Sequence, residues 1–195
     1  VQGAPTDVTC TPLNASYGTT GTAQASASSS LLITWSAQNL PAGFSINQST
    51  GVVSGSTTTI ATGTFTVRAT STAGYTTSDP IAYDIQPLAP NEITGVDLIG
   101  EEEGIEATAL FSANQNGATI NWTTNGLPSW ASVLNTYVTG NVAYCVVGGT
   151  PGAGDEGEGT FSVTATNSKG TVSVTKAFSV SYYILYGFDL TLATA

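Results

Sequence analysis

Apolar and polar residues alternate along several short stretches of the chain. In residues 64–70, Phe65, Val67 and Ala69 are each separated by a polar residue, and residues 161–165 repeat the pattern. Because the side chains of a strand point alternately to its two faces, this pattern predicts strands with one buried face. Clusters of Gly, Asn and Ser separate such stretches, and no stretch has the 3.6-residue period of a helix. The chain is therefore predicted to be all-β.

The second regularity is an internal repeat. "ITWSAQNLPAGFSI" (residues 33–46) matches "INWTTNGLPSWASV" (120–133) at an offset of 87, and "GTFTVRATSTAG" (63–74) matches "GTFSVTATNSKG" (159–170) at an offset of 96. The difference of nine residues predicts an insertion in the second copy, within residues 135–158. We expect the glycine-rich stretch "GGTPGAGDEGEG" in that range to form it as a surface loop.

The repeat predicts two domains in tandem. We expect domain 1 to span residues 1–88 and domain 2 to span 89–183, with a C-terminal strand or tail at 184–195. Residues 86–92 contain two prolines, which restrict the backbone to extended geometry and indicate a short, stiff connector. Short strands with frequent turns, in domains of about 90–100 residues, are typical of β-sandwiches.

Residues 40–74 carry a recognisable series of motifs. Leu-Pro-x-Gly-Phe-x-Ile precedes a Ser-Thr-Gly turn, a further glycine and a Gly-Thr-Phe strand, and the matching residues are Leu40, Pro41, Gly43, Phe44, Ile46, Thr50, Gly51, Gly55, Gly63, Thr64 and Phe65. The segment resembles the putative-Ig and dystroglycan-type cadherin-like modules. The second copy matches in part, with Gly149-Thr150-Pro151 in place and with Trp130 and Val133 at two apolar positions. The resemblance implies two tandem immunoglobulin-like β-sandwich domains, of the kind found on bacterial surface proteins, secreted multidomain proteins and phage structural proteins.

Charge and composition exclude several classes of function. The chain has 13 acidic residues, three basic residues and no histidine, which gives a net charge of −10. Three cations cannot neutralise a phosphate backbone, so we expect no nucleic-acid partner. Without histidine there is no Ser-His-Asp or Cys-His catalysis, and a carboxylate pair of the glycosidase type, which needs two facing carboxylates in a cleft, is the remaining catalytic alternative. We predict no enzymatic activity, no catalytic residues and no cofactor. The absence of a long apolar run predicts no membrane insertion, and the Thr-, Ser-, Asn- and Gly-rich composition favours an extracellular location.

Acidic residues cluster in two glycine-flanked segments of the second repeat. Carboxylate oxygens are ligands for Ca²⁺, so the candidate calcium ligands are Glu101, Glu102, Glu103, Asp155, Glu156 and Glu158. Their spacing matches no calcium-loop motif. Solvated turns are the alternative interpretation, and we assign no metal site.

The tryptophans and cysteines have structural interpretations. Trp35 and Trp122 occupy matching positions where an immunoglobulin-like sandwich buries an aromatic ring; a sugar-stacking platform is the alternative. Cys10 and Cys145 fall in different repeats, which rules out an intradomain bridge of the antibody type. Two interpretations of the cysteines remain. Each is a small buried hydrophobic residue, or they form an interdomain or intersubunit disulfide.

The C-terminal segment extends beyond the expected end of domain 2. Tyr186, Phe188, Leu190 and Leu192 alternate with Gly187 and polar residues, which is a strand pattern. It is either a long final strand with a bulge at Gly187 or an assembly contact that docks on a neighbouring subunit by β-augmentation. Left uncovered, such an edge would be adhesive.

These features predict a non-enzymatic structural protein of an extracellular assembly. A virion component, such as a phage tail, head decoration or fibre protein, is the first expectation. Its partners would be other subunits of the same assembly, with a surface glycan or receptor as a further partner. The alternatives are a cell-surface filament or adhesin subunit, and a carbohydrate-binding accessory module of a secreted enzyme.

Overall fold

The computed structural model describes residues 3–181, and every regular element in that range is a β-strand. The strands of the first half are β1 (Thr6–Cys10), β2 (Leu13–Ser16), β3 (Gly21–Ser28), β4 (Thr34–Gln38), β5 (Phe44–Ile46), β6 (Val52–Gly55), β7 (Ala61–Ser71), β8 (Gly74–Thr77) and β9 (Ile81–Gln86). Those of the second half are β10 (Thr94–Gly95), β11 (Leu98–Gly100), β12 (Ala107–Asn114), β13 (Asn121–Asn125), β14 (Ala131–Thr139), β15 (Val142–Gly149), β16 (Gly157–Asn167) and β17 (Gly170–Val180). No helix that could cross a membrane occurs among these residues.

The predicted alternation sets which face of each long strand is buried. In β7 the side chains of Phe65, Val67 and Ala69 are buried and the intervening ones are not. In β16 Phe161 and Val163 follow the same rule. Each strand thus supplies one apolar face, and the all-β prediction is confirmed.

The chain divides into two compact units. The first comprises Val1–Pro90 with the turns Gln115–Thr119 and Asn167–Gly170. Its strands follow the order β4-β7-β9-β2-β3-β6-β5, with β1 on β3 and β8 on β7. Most of these strands contribute to one core that includes Leu13, Trp35 and Val53. The nine strands belong to one hydrogen-bonded sheet that wraps around this core, as in a β-sandwich whose layers share strands.

The second unit comprises the remaining segments and contains two four-stranded sheets. Their orders are β10-β12-β15-β14 and β11-β17-β16-β13. The short strand β11 pairs in parallel with the last strand, β17, as β2 pairs with β9 in the first unit. Phe111 and Phe161 are the largest fully buried side chains of this core, and their rings meet edge to face at 6.0 Å. The fold is that of two tandem immunoglobulin-like sandwiches.

The insertion in the second repeat lies mainly in a hairpin, and the expectation of a glycine-rich loop was wrong in this respect. The backbone pairs Phe44 with Gly55 in the first unit and Ala131 with Gly149 in the second. Gly55 follows Phe44 by 11 positions, and Gly149 follows Ala131 by 18, so seven of the nine extra residues lengthen the β14–β15 hairpin. This register also places Ala131, rather than Trp130, at the position of Phe44.

The predicted connector is held by side-chain amides within the first unit. The Nδ2 group of Asn167 donates to the carbonyl of Leu88 at 2.8 Å and to that of Gln115 at 3.2 Å. Asn116 donates from its Nδ2 to the carbonyl of Ala89 at 3.0 Å and accepts from the Leu88 amide at its own carbonyl. These bonds fix the backbone of the connector in addition to the restriction from proline.

Candidate interaction surface

The lengthened hairpin forms an open edge of the second unit. Strand β14 is the last strand of its sheet, and among residues 3–181 it pairs only with β15. Eight of its nine residues are exposed. Its counterpart in the first unit, β5, has three residues. The free side of β14 therefore presents a long row of backbone donors and acceptors, which is a template for a further strand.

The side chains of this edge are uncharged, and several of the exposed ones are apolar. Exposed fractions are 39 % for Val133, 45 % for Leu134, 42 % for Tyr137 and 52 % for Val138. No charged residue and no proline occurs between Ala131 and Gly149. Edge strands are commonly protected from pairing by a charge, a proline or a bulge. Only a bulge is present on β14, where the register shifts between Val133 and Asn135.

Two of the exposed apolar residues belong to the core-facing side of the sheet. Val133 lies opposite Val147, and Val138 lies opposite Ala143; residues directly opposite each other share a face. Val147 and Ala143 are buried, whereas Val133 and Val138 are not. The core-facing side of the sheet is therefore covered at β15 and left open at β14.

An aromatic pair lies on the outer face of the hairpin. Tyr137 and Tyr144 are directly opposite each other on β14 and β15. Their rings are stacked, with centroids 4.8 Å apart and planes 12° apart. This pair was not anticipated from the sequence. The signal that could have revealed it is the Gly140-Asn141 turn between two stretches rich in Val and Tyr, which is a hairpin pattern.

The two acidic segments come together at one end of the second unit. The amide of Gly104 donates to the carbonyl of Pro151 at 3.0 Å, which joins the turn after β11 to the turn before β16. Glu101, Glu102 and Glu103 are exposed, as are Glu156 and Glu158. The carboxylate of Asp155 accepts from the Gly152 amide at 2.8 Å and thereby closes its own turn. Within residues 3–181 no three acidic, cysteine or histidine side chains are grouped closely enough to hold a metal ion.

The tryptophans pack against the cores. Trp35 is buried, and its indole lies against the Ser-Thr-Gly turn, where a Cβ on Gly51 would be 2.9 Å from the ring. Gly51 also has φ +71°, so the turn requires glycine for both reasons. Trp122 and Trp130 are half-buried and pack on the second core, and their Nε1 atoms are buried without a hydrogen-bond partner among the described residues. The core interpretation of Trp35 is confirmed.

Both cysteines are free thiols in the described structure. Cys145 is fully buried, and burial raises the pKa of its thiol from 9.0 to about 11. Burial also raises the pKa of Cys10. Both side chains are therefore protonated at neutral pH and behave as small apolar groups.

The predicted assembly residues Tyr186, Phe188, Leu190 and Leu192 lie outside the described residues. The last described residue, Ser181, donates its amide to the carbonyl of Gly100 at 3.3 Å, at the end of β17. The described part of the chain therefore ends at the sheet that does not contain β14.

Comparison with known proteins finds a similarity to a family in the first repeat. The family model described as "Putative Ig domain" matches residues 2–86. No relative was found among curated protein sequences.

One solved structure is similar to the chain at a TM-score above 0.5, and two others are similar at lower scores. The crystal structure of domains A168–A170 from titin is similar with a TM-score of 0.52 and 15 % identity, over 92 % of this chain and 67 % of that one. Dpr2 Ig1-Ig2 in complex with DIP-Theta has a TM-score of 0.44 and 15 % identity, over 91 % of this chain and 65 % of that one. Titin Z1Z2 in complex with telethonin has a TM-score of 0.40 and 20 % identity, over 94 % of this chain and 100 % of that one. Identity at this level shows a fold and leaves function to be argued from the site.

Proposed function

We propose that the chain is a non-enzymatic structural subunit of an extracellular assembly, and specifically a virion component such as a phage tail, head decoration or fibre protein. The observation that carries this proposal is the β14–β15 hairpin, which gives the second sandwich a long, uncharged edge strand with exposed apolar side chains. Exposed apolar surface of this kind marks sites where proteins associate. A cell-surface filament or adhesin subunit would use the same edge and differ only in where the assembly lies.

The chemistry of the described residues supports a structural role over catalysis. In a chain without histidine the strongest remaining nucleophiles are thiolates, and burial keeps both thiols protonated. The candidate carboxylates lie on exposed turns, apart from Glu158 at the exposed start of β16 and Asp155, whose carboxylate accepts from the Gly152 amide and the Ser129 hydroxyl.

Sedimentation velocity of the purified chain tests the proposal. The full chain, of 19.7 kDa, should sediment as an oligomer, and a chain lacking Ile184–Ala195 should sediment as a folded monomer. A full chain that stays monomeric at every concentration would contradict the assembly role. A truncated chain whose second unit unfolds would instead identify residues 184–195 as part of that sandwich.

Immunoelectron microscopy distinguishes the two locations. An antibody to the exposed loop around Leu32 of the first unit should label purified virions if the chain is a virion component. Label confined to the surface of cells would support the filament or adhesin instead.

A carbohydrate-binding module is the second candidate, favoured by the stacked, outward-facing pair Tyr137 and Tyr144. Flat aromatic surfaces can stack on sugar rings. Affinity electrophoresis in polysaccharide gels should then show retardation that is lost in Tyr137→Ala and kept in Tyr75→Ala, a control at an exposed tyrosine of the first unit. Equal mobility in the presence and absence of every polysaccharide tested would reject this candidate.

A further inference from the structure

We infer that the β14 edge accepts the C-terminal segment of a second copy of this chain as an added strand. This inference rests on the proposed function, since it names the surface by which the copies join. The acceptor is β14, Ala131–Thr139, and the donor lies within residues 182–195.

The acceptor has the length and the free side that an added strand needs. Nine residues of strand extend for about 30 Å, and backbone hydrogen bonds along an edge supply affinity while alternate side chains supply specificity. The open core-facing side beneath Val133 and Val138 provides space for apolar side chains of an added strand. A strand paired on the free side of β14 would extend this sheet, and the core beneath it, by one strand.

The donor matches this surface in pattern and charge. Residues 182–195 contain no proline and a single charged residue, Asp189. Paired as a strand, this segment would place Tyr186, Phe188, Leu190 and Leu192 on one face and Gly187, Asp189 and Thr191 on the other. The apolar face suits the open core-facing side, and the second face suits solvent. Asp189 meets no charge on the hairpin, because residues 131–149 carry none.

The position of the last described residue favours a second copy over the same copy. Ser181 follows β17 in the sheet β11-β17-β16-β13, whereas β14 is the outermost strand of the opposite sheet. The segment would have to cross between the sheets and pass the unit's own width before pairing with its own edge. A second copy can present its edge without that detour. Passing a tail from each copy to the next is a heterologous contact, which produces rings or filaments.

Charged substitutions on β14 test the acceptor. Val138→Lys and Leu134→Lys each place an ammonium group on the edge at a side chain that is already about half exposed. Thr123→Lys is the matched control, because Thr123 is exposed on β13, the edge strand of the other sheet. In sedimentation velocity we expect both β14 variants of the full chain to be monomeric and the control to remain oligomeric.

A binding experiment in trans tests the donor. A fluorescent peptide of residues 182–195 with a solubilising tag is titrated with the chain that lacks 184–195, and anisotropy is measured. We expect saturable binding that Val138→Lys weakens at least tenfold, no binding of a peptide with the same composition in scrambled order, and no effect of Thr123→Lys. Protection of the Cys145 thiol from labelling shows which variants are folded; if Val138→Lys is not, Leu134→Lys at the bulge is used in its place.

The other outcomes separate the inference from the proposed function. If truncation gives monomers but both folded β14 variants stay oligomeric, the tail docks elsewhere; the inference is overturned and the assembly role stands. If the full chain is monomeric and the truncated chain binds the peptide at β14, the tail occupies its own edge, which overturns the second-copy assignment. If the full chain is monomeric and no peptide binds, both are overturned. Oligomers that persist after truncation but are lost in the β14 variants would indicate direct β14-to-β14 pairing.

Discussion

Replacing Phe161 by alanine should strongly destabilise the second unit. Phe161 is 2 % exposed and packs edge to face on Phe111 at 6.0 Å. Much of the surrounding core consists of alanines, namely Ala107, Ala109, Ala113, Ala143 and Ala165. Alanine side chains cannot rearrange to fill a cavity, so the cost should lie in the upper part of the range of about 3–5 kcal/mol for a buried Phe→Ala change. The lost aromatic pair accounts for about 0.5–1.5 kcal/mol of it.

The buried thiol of Cys145 provides the assay. It belongs to the same core as Phe161 and is fully buried, so a thiol reagent reacts with it only when the second unit opens. When closing is faster than labelling, the observed rate is proportional to the population of the open state. A loss of about 4 kcal/mol should therefore raise the labelling rate of Cys145 by about a thousandfold.

Phe65→Ala is the matched control, since Phe65 is the equivalent residue in the first core. We expect it to leave the labelling of Cys145 much less affected, because the lost ring belongs to the other core. An increase of less than tenfold in Cys145 labelling for Phe161→Ala would refute the argument, because it would mean that the core closes around the missing ring.

Three further perturbations have expected outcomes. Asn167→Ala removes an amide that donates to two backbone carbonyls of the first unit, and urea denaturation should show a loss of about 1–3 kcal/mol. Gly149→Ala would place a Cβ 1.9 Å from the carbonyl oxygen of Trp130, so the urea midpoint should fall by the equivalent of about 1–3 kcal/mol, while Gly3→Ala, with nothing within 4 Å, should leave it unchanged. Burial raises the pKa of Cys145 to about 11, so the folded chain keeps this proton when the unfolded chain has lost it. The protonated thiol therefore contributes to the free energy of unfolding fully below pH 9, and this contribution is lost as the pH rises through 11. At pH 10.5 the free energy of unfolding of the wild type should have fallen by about 2 kcal/mol more than that of Cys145→Ala. Equal decreases in the two proteins would contradict the assigned burial.

Strand positions and the first core could be predicted from the sequence because they depend on local rules. Alternation with period two reports directly which face of a strand is buried, as at Phe65, Val67 and Ala69. The turn at Gly51 could be predicted for a similar reason. The side chain of Asn47 accepts hydrogen bonds from the backbone amides of Ser49 and Thr50, and the turn ends on Gly51 at positive φ. Both kinds of signal are contained within a few residues.

The open edge could not be predicted, because exposure there depends on residues distant in sequence. Alternation with period two would place Val133 and Val138, which are five positions apart, on opposite faces, but the bulge between Val133 and Asn135 brings both to the core-facing side. Whether such a side chain is covered depends on how far the opposite sheet extends, which no local pattern contains. The insertion posed a similar problem, because residues 135–158 include both part of a strand pair and a glycine-rich turn. The difference in length between the two repeats does not show which of these contains the extra residues.

The contact between the two acidic segments was also beyond local reasoning. Glu103 and Asp155 are about fifty positions apart, and the backbone bond from Gly104 to Pro151 follows from the way the sheets close at that end. Proximity of this kind becomes predictable only once the strand order is known.

The assembly role is tested most directly by electron cryomicroscopy of the native particle at a resolution that separates strands about 4.8 Å apart. The proposal predicts repeated copies of this chain in which the sheet β10-β12-β15-β14 continues into a fifth strand, supplied by residues 182–195 of a neighbouring copy. Single, unassociated chains with a bare β14 edge, or a chain attached as an appendage to a catalytic protein, would contradict it.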